Sequence, residues 1–120
     1  MVEDDLVNQR VVAMMLERLG VEMALVDNGL EAVVRAVRDP WDVVLVSLRL
    51  SGIDGLETAR RIRRRLEGRP LPIVALTVSA RAKDEEACRQ AGMDGTLVKP
   101  LRQELLRTCL RRWLESRAPM

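Results

Sequence analysis

A few positions in this chain carry residue types that could do chemistry. Glu3-Asp4-Asp5 lie at its start, Ser47 and Thr77 each close an apolar run, and Lys99 stands before Pro100. Adjacent carboxylates attract a hard divalent cation, Mg²⁺ above all, through oxygen ligands. A lysine ammonium and a threonine hydroxyl suit an anion such as a phosphoryl group. Each element alone has a plainer reading: a helix cap with a solvated face, a strand-end hydroxyl bonded to backbone, a surface lysine, a strand stop. Their joint placement is what points to a site.

Composition narrows the chemistry. The chain has 120 residues, two cysteines and no histidine. Without histidine there is no imidazole base, no Ser-His-Asp triad and no phosphohistidine. Cys88 and Cys109 form no C-x-x-C pair, so a zinc site is excluded, and they read as free thiols of a reducing compartment. Trp41 and Trp113 are the only aromatic residues, too few for base-stacking platforms. Net charge is +2, too small to imply nucleic-acid binding. Arg60, Arg61, Arg63, Arg64 and Arg65 spread round more than one helix face, as on a solvated helix. No signal peptide or membrane-length apolar run is present, which predicts a soluble, cytoplasmic protein without a membrane partner.

The elements that must position these residues alternate. Asp5 can cap a helix from about Val7 to Leu19, whose apolar stripe is Val7, Val11, Met14, Met15 and Leu19. Val21 to Val26 reads as a short strand. Asn28 can cap a helix from about Leu30 to Arg38, stopped by Asp39-Pro40. Trp41 to Ser47 is a valine-rich, nearly continuous apolar run, the pattern of a strand buried on both faces. A loop with Gly52 and Gly55 leads to a basic helix, about Leu56 to Leu66. A second buried strand follows, Pro72 to Thr77, then a helix from Ala82 to Ala91, a strand from Gly95 to Lys99 and a helix from Arg102 to Glu115.

Strict alternation predicts an α/β fold with a parallel sheet and right-handed crossovers, one domain over residues 1–120. Only Met1-Val2 stands where the central strand belongs. The expectation is a first strand that is truncated, with residues missing upstream. In an open α/β sheet, ligands bind beyond the carboxyl ends of the strands. Glu3-Asp4-Asp5, Ser47, Thr77 and Lys99 all fall at that rim.

The motifs Val2-Glu3-Asp4-Asp5, Asp42 to Ser47, Gly52 to Leu56, Ile73 to Thr77, and Ala91 to Gly95 leading to Lys99-Pro100 resemble the response-regulator receiver domain of two-component signalling. The resemblance runs from Val2 to about Leu114. It implies the flavodoxin-like fold: a five-stranded parallel sheet, order 2-1-3-4-5, flanked by five helices. It implies that Glu3 and Asp4 hold Mg²⁺ with the backbone carbonyl of Arg49, that Thr77 is the switch hydroxyl, and that Lys99 pairs with a phosphoryl oxygen across a cis bond to Pro100. Val7-Asn8-Gln9 with Gly20 suggests receivers attached to hybrid histidine kinases. Implied partners are a histidine kinase, a histidine phosphotransfer protein or neighbouring domains of the same chain, with the first helix as the phosphotransfer face. The last strand and helix are the implied homodimer face.

The central departure is Ser47, which occupies the place of the acceptor aspartate. A carboxylate attacks phosphorus directly, whereas an unactivated hydroxyl is a poor nucleophile. Loss of one carboxylate of three should weaken or abolish Mg²⁺ binding. Asp42 starts the same strand and lies roughly 17 Å away at about 3.3 Å per residue, so it is no substitute. Ser51 replaces the family's usual proline. Val78, larger than the usual small residue, is expected to crowd the phosphoryl pocket, and Thr96 replaces the usual aromatic ring. One reading is a phosphorylation-independent pseudo-receiver that docks partners, with self-phosphotransfer lost. The other is an ordinary phosphoryl-accepting receiver whose aspartate was replaced at Ser47.

Overall fold

The computed structural model describes residues 1–78 and 81–115. Residues 116–120 of the expected domain lie outside them. The described chain runs α1 (Leu6–Arg18), α2 (Gly29–Arg38), β1 (Val44–Ser47), α3 (Gly55–Leu66), β2 (Ile73–Thr77), α4 (Ala82–Gln90), β3 (Gly95–Val98), α5 (Gln103–Glu115). The order of elements follows the sequence pattern, and so do several boundaries. Asp5 caps α1 by accepting from the Asn8 N–H, Asn28 caps α2 through the Glu31 N–H, and Asp54 caps α3 through the Glu57 N–H.

The three strands pair in parallel in the order β1-β2-β3. Every residue of β1 and β2 is buried. Alternate side chains feed two cores, because successive residues of a strand point to opposite faces. Val44, Val46, Ile73 and Ala75 pack with α2, α3 and α4, while Leu45, Val74 and Leu76 pack with α1 and α5. A strand serving two cores cannot alternate polar with apolar, which accounts for the unbroken valine-rich run.

Val2 continues the sheet beyond β1 as single parallel bridges to Val46 and Val26. Its N–H donates to Leu45 O at 2.7 Å, Ser47 N–H returns to Val2 O at 3.0 Å, and Glu3 N–H donates to Val26 O at 3.0 Å. The spatial order is thus the flavodoxin-like one, with the first strand reduced to a stub. Val21 to Val26, expected as a strand, is a correction: only Val26 pairs. The bonds that join this segment to Met1–Glu3 fall at Ala24 and Val26.

Helix α1 brings a second correction. Val7, Val11 and Met14, expected in its core stripe, are 66%, 43% and 54% exposed, while Val12 and Leu16 are buried. The helix is apolar on two faces, and periodicity alone cannot choose between stripes about 100° apart. In α5, Leu106 and Leu110 are buried and Leu105 is exposed. Trp113 packs over Gly95 and stacks beneath the Arg112 guanidinium. The arginines of α3 are partly engaged: Arg60 and Arg61 pair with Glu57, and Arg63 reaches Gly92 O and Asp94. Both thiols are free, and burial pushes both up from the ordinary cysteine range.

Candidate functional site

The carboxyl ends of the stub, β1, β2 and β3 bring the expected residues to one rim. Glu3 is 1% exposed and Ser47 fully buried. Glu3 Oε1 accepts from Ser47 Oγ at 3.0 Å and from Lys99 Nζ at 2.8 Å, and Lys99 Nζ also donates to Ser47 Oγ at 2.6 Å. Three residues from three parts of the chain therefore close a triangle of charge-assisted bonds. Glu3 Oε2 takes the Asp5 N–H, and Gln9 Nε2 donates to the Glu3 carbonyl at 2.6 Å. Burial of the carboxylate is tolerable because each oxygen has a donor and one carries a countercharge.

Lys99 lies one residue beyond β3. Its backbone N–H donates to Thr77 O at 2.6 Å, which aims the side chain across the strand ends, and the following bond to Pro100 is cis, as the resemblance implies. Thr77 ends β2 and is buried. Val78, which follows Thr77, is 65% exposed. Arg49 lies two residues past Ser47 in the loop that leads to α3. That loop approaches closely, since a Cβ on Gly55 would collide with the Ser47 carbonyl and Leu48 Cα. Only glycine fits there.

Asp4 is bonded to Ser51 and lies within reach of the Lys99 charge. Its Oδ2 accepts from the Ser51 N–H at 2.8 Å and the Ser51 hydroxyl at 3.0 Å. These bonds hold its carboxyl below the usual carboxylate range. Ser51 stands out in the sequence as a departure, but its tie to Asp4 spans 47 residues and no local pattern reveals it. The bond from Gln9 to the Glu3 carbonyl was missed as well, and so was the capping role of Asp54, although Asp54 and Glu57 stand at the local spacing of a helix cap.

The acidic pair can be tested as a magnesium site. Both Glu3 oxygens and one Asp4 oxygen already accept bonds from within the chain. Among the described residues, no three Asp, Glu or Cys side chains converge as metal ligands. As arranged, the donor set fits an octahedral dication poorly: Glu3 Oε1 already takes the Ser47 hydroxyl and the Lys99 ammonium, and Asp4 Oδ2 takes both Ser51 donors. A cavity of about 440 Å³ lies at the opposite end of the strands, among Val21, Met23, Pro40, Trp41 and Val43, and no residue of this cluster lines it.

Comparison with known proteins settles the family. The family model of the response regulator receiver domain matches residues 1–111. This chain belongs to the receiver family. The receiver is 35% identical over 115 residues to the sensor histidine kinase GacS of Pseudomonas protegens, covering 93% of this chain and 12% of that protein. It thus spans a small part of the curated relatives it matches. The receiver domain of a Pseudomonas aeruginosa sensor histidine kinase, crystallised with magnesium coordinated in its active-site cleft, is 43% identical. It superposes with a TM-score of 0.87, covering 95% of this chain and 93% of that one. A co-crystal of a Saccharomyces cerevisiae histidine phosphotransfer protein with the receiver of its downstream response regulator matches at 26% identity and a TM-score of 0.93. It covers 99% of this chain and 89% of that one. Among the described residues of this receiver, no helix is long and apolar enough to cross a membrane.

Proposed function

We propose that this receiver is phosphorylation-silent and works as a docking module within two-component signalling. The observation that carries the reading is Ser47. It holds the acceptor place, is fully buried, and has its oxygen between the Lys99 ammonium and the Glu3 carboxylate. The ammonium occupies a lone pair and the hydroxyl proton is directed at Glu3. The hydroxyl is also neutral, without the charge with which a carboxylate attacks phosphorus directly. With the third carboxylate absent and Glu3 paired to Lys99, Mg²⁺ binding is weakened.

Partners on this reading are a histidine kinase, a histidine phosphotransfer protein or adjoining domains of one longer cytoplasmic protein. The surface that supports docking is the outward face of α1, where Leu6, Val7, Val11 and Met14 stand exposed. Apolar side chains grouped on one face suit a partner helix. A homodimer through β3 and α5 is the further proposal, with Val98 and Leu105 exposed there. The unit proposed is one receiver over residues 1–120.

A second reading is favoured by the retention of Glu3, Asp4, Thr77 and Lys99 at one rim: an ordinary receiver in which Ser47 stands for aspartate. Incubation with Mg²⁺ and a small-molecule phosphodonor, followed by intact mass, separates the two. The native chain should gain no phosphate, and Ser47→Asp should gain one if the rest of the site works. Rapid addition of one phosphate to the native chain would overturn the silent reading.

A further inference from the structure

The two carboxylates of the acidic pair are satisfied by different residues and different chemistry. Glu3, buried, receives a full positive charge from Lys99 at 2.8 Å. Asp4 receives two neutral donors from Ser51, at 2.8 Å and 3.0 Å. A divalent cation competes for these same oxygens. A cation at Glu3 Oε1 meets the Lys99 ammonium beside a carboxylate whose side chain is 2% exposed, and one at Asp4 Oδ2 meets both Ser51 donors.

We infer that Lys99 and Ser51 together are a built-in substitute for the metal ion, which keeps the acidic end closed without a dication and opposes metal binding independently of what stands at position 47. The inference deepens the receiver reading and does not rest on phosphorylation silence. Ser51 is the residue that carries the new assignment. It positions Asp4, and in doing so fastens the loop between β1 and α3 to the start of the chain. Its two donors are exposed, so water can replace them once Asp4 turns away; Ser51 tunes metal affinity rather than abolishing it. Lys99 sets the larger barrier, because a buried carboxylate that loses its partner must find another charge.

The test titrates Mn²⁺ into the full chain and follows free ion by electron paramagnetic resonance, with Mg²⁺ as competitor. Four proteins are compared: native, Ser51→Ala, Ser47→Asp and the Ser47→Asp/Ser51→Ala pair. Removal of the hydroxyl bond should tighten Mn²⁺ binding about three- to tenfold in both backgrounds, the scale of one hydrogen bond released. Ser51→Pro removes the amide donor as well and should tighten it further, while Ser51→Thr should bind as weakly as native. Thermal melts without metal verify that each variant is folded. Equal affinities for Ser47→Asp and the double variant would overturn the inference, and so would native binding as tight as that of Ser51→Ala. Phosphate uptake by the native chain would sink the silent reading and leave this one standing, so the two fail separately.

Discussion

Lys99 holds two partners with one ammonium, and the consequence is energetic before it is functional. Removing one member of a buried pair strands the other charge and costs about 3–5 kcal/mol, whereas removing both can be nearly neutral. Lys99→Met and Glu3→Gln should therefore each lower unfolding free energy by that order in urea melts. The double variant should lose clearly less than the sum. Additive losses would mean that the 2.8 Å contact carries no coupling. Glu3, Ser47, Thr77 and Lys99 were legible in the sequence because each ends a strand-like run, and the fold then forces strand ends together. Ser51 was not legible as a partner of Asp4, because the bond depends on where a loop folds back rather than on any spacing.

Among the elements, α1 shows how far pattern reaches. Its cap, length and apolar content follow from Asp5 and the residues after it, but its orientation does not. Both Val7-Val11-Met14 and Val12-Leu16 make helical stripes, and only the sheet decides which is buried. Val11→Ser, on the solvent face, should change stability by no more than about 0.5 kcal/mol. Leu16→Ala, 4% exposed, should cost about 2–5 kcal/mol. Chemical melts of the two variants check the assignment, and a larger loss from Val11→Ser would reverse the faces. The segment of residues 21–26 pairs as a bridge only at Val26, with Val2, and nothing within the segment itself shows that. The runs at β1 and β2 were legible because burial on both faces leaves no polar positions to confuse the pattern.

At the level of the whole molecule, two apolar cores share one sheet, and the join to the 24–26 segment is narrow. It consists of the bonds around Val2, Glu3 and Val26, together with the Met1 ammonium on Ala24 O at 2.7 Å. β2, paired on both sides and buried throughout, is the centre of the described sheet. Amide hydrogen exchange should therefore be slowest at Val74, Ala75 and Leu76 and faster by at least about tenfold at Glu3 and Val26, an opening short of global unfolding. Equal protection at both places would show that the stub and β2 open as one unit. The alternation of elements made the architecture legible from the sequence. The width of the sheet was not, because strand length depends on both members of every pair.

The triangle of Glu3, Ser47 and Lys99 also gives the domain a covalent footprint. Lysines are only two in this arginine-rich chain, and they differ in setting: Lys83 is exposed on α4, while the Lys99 side chain is 17% exposed and doubly bonded. An amine-reactive acylating reagent should modify Lys83 promptly and Lys99 slowly, with peptide mapping separating both from the Met1 amine. Lys83 then acts as an internal clock and Lys99 as the reporter, so the ratio of the two rates reads how often the rim opens. Comparable rates in the native chain would mean that the triangle does not shield its lysine. A partner that pries the rim apart would announce itself by speeding one acylation and not the other.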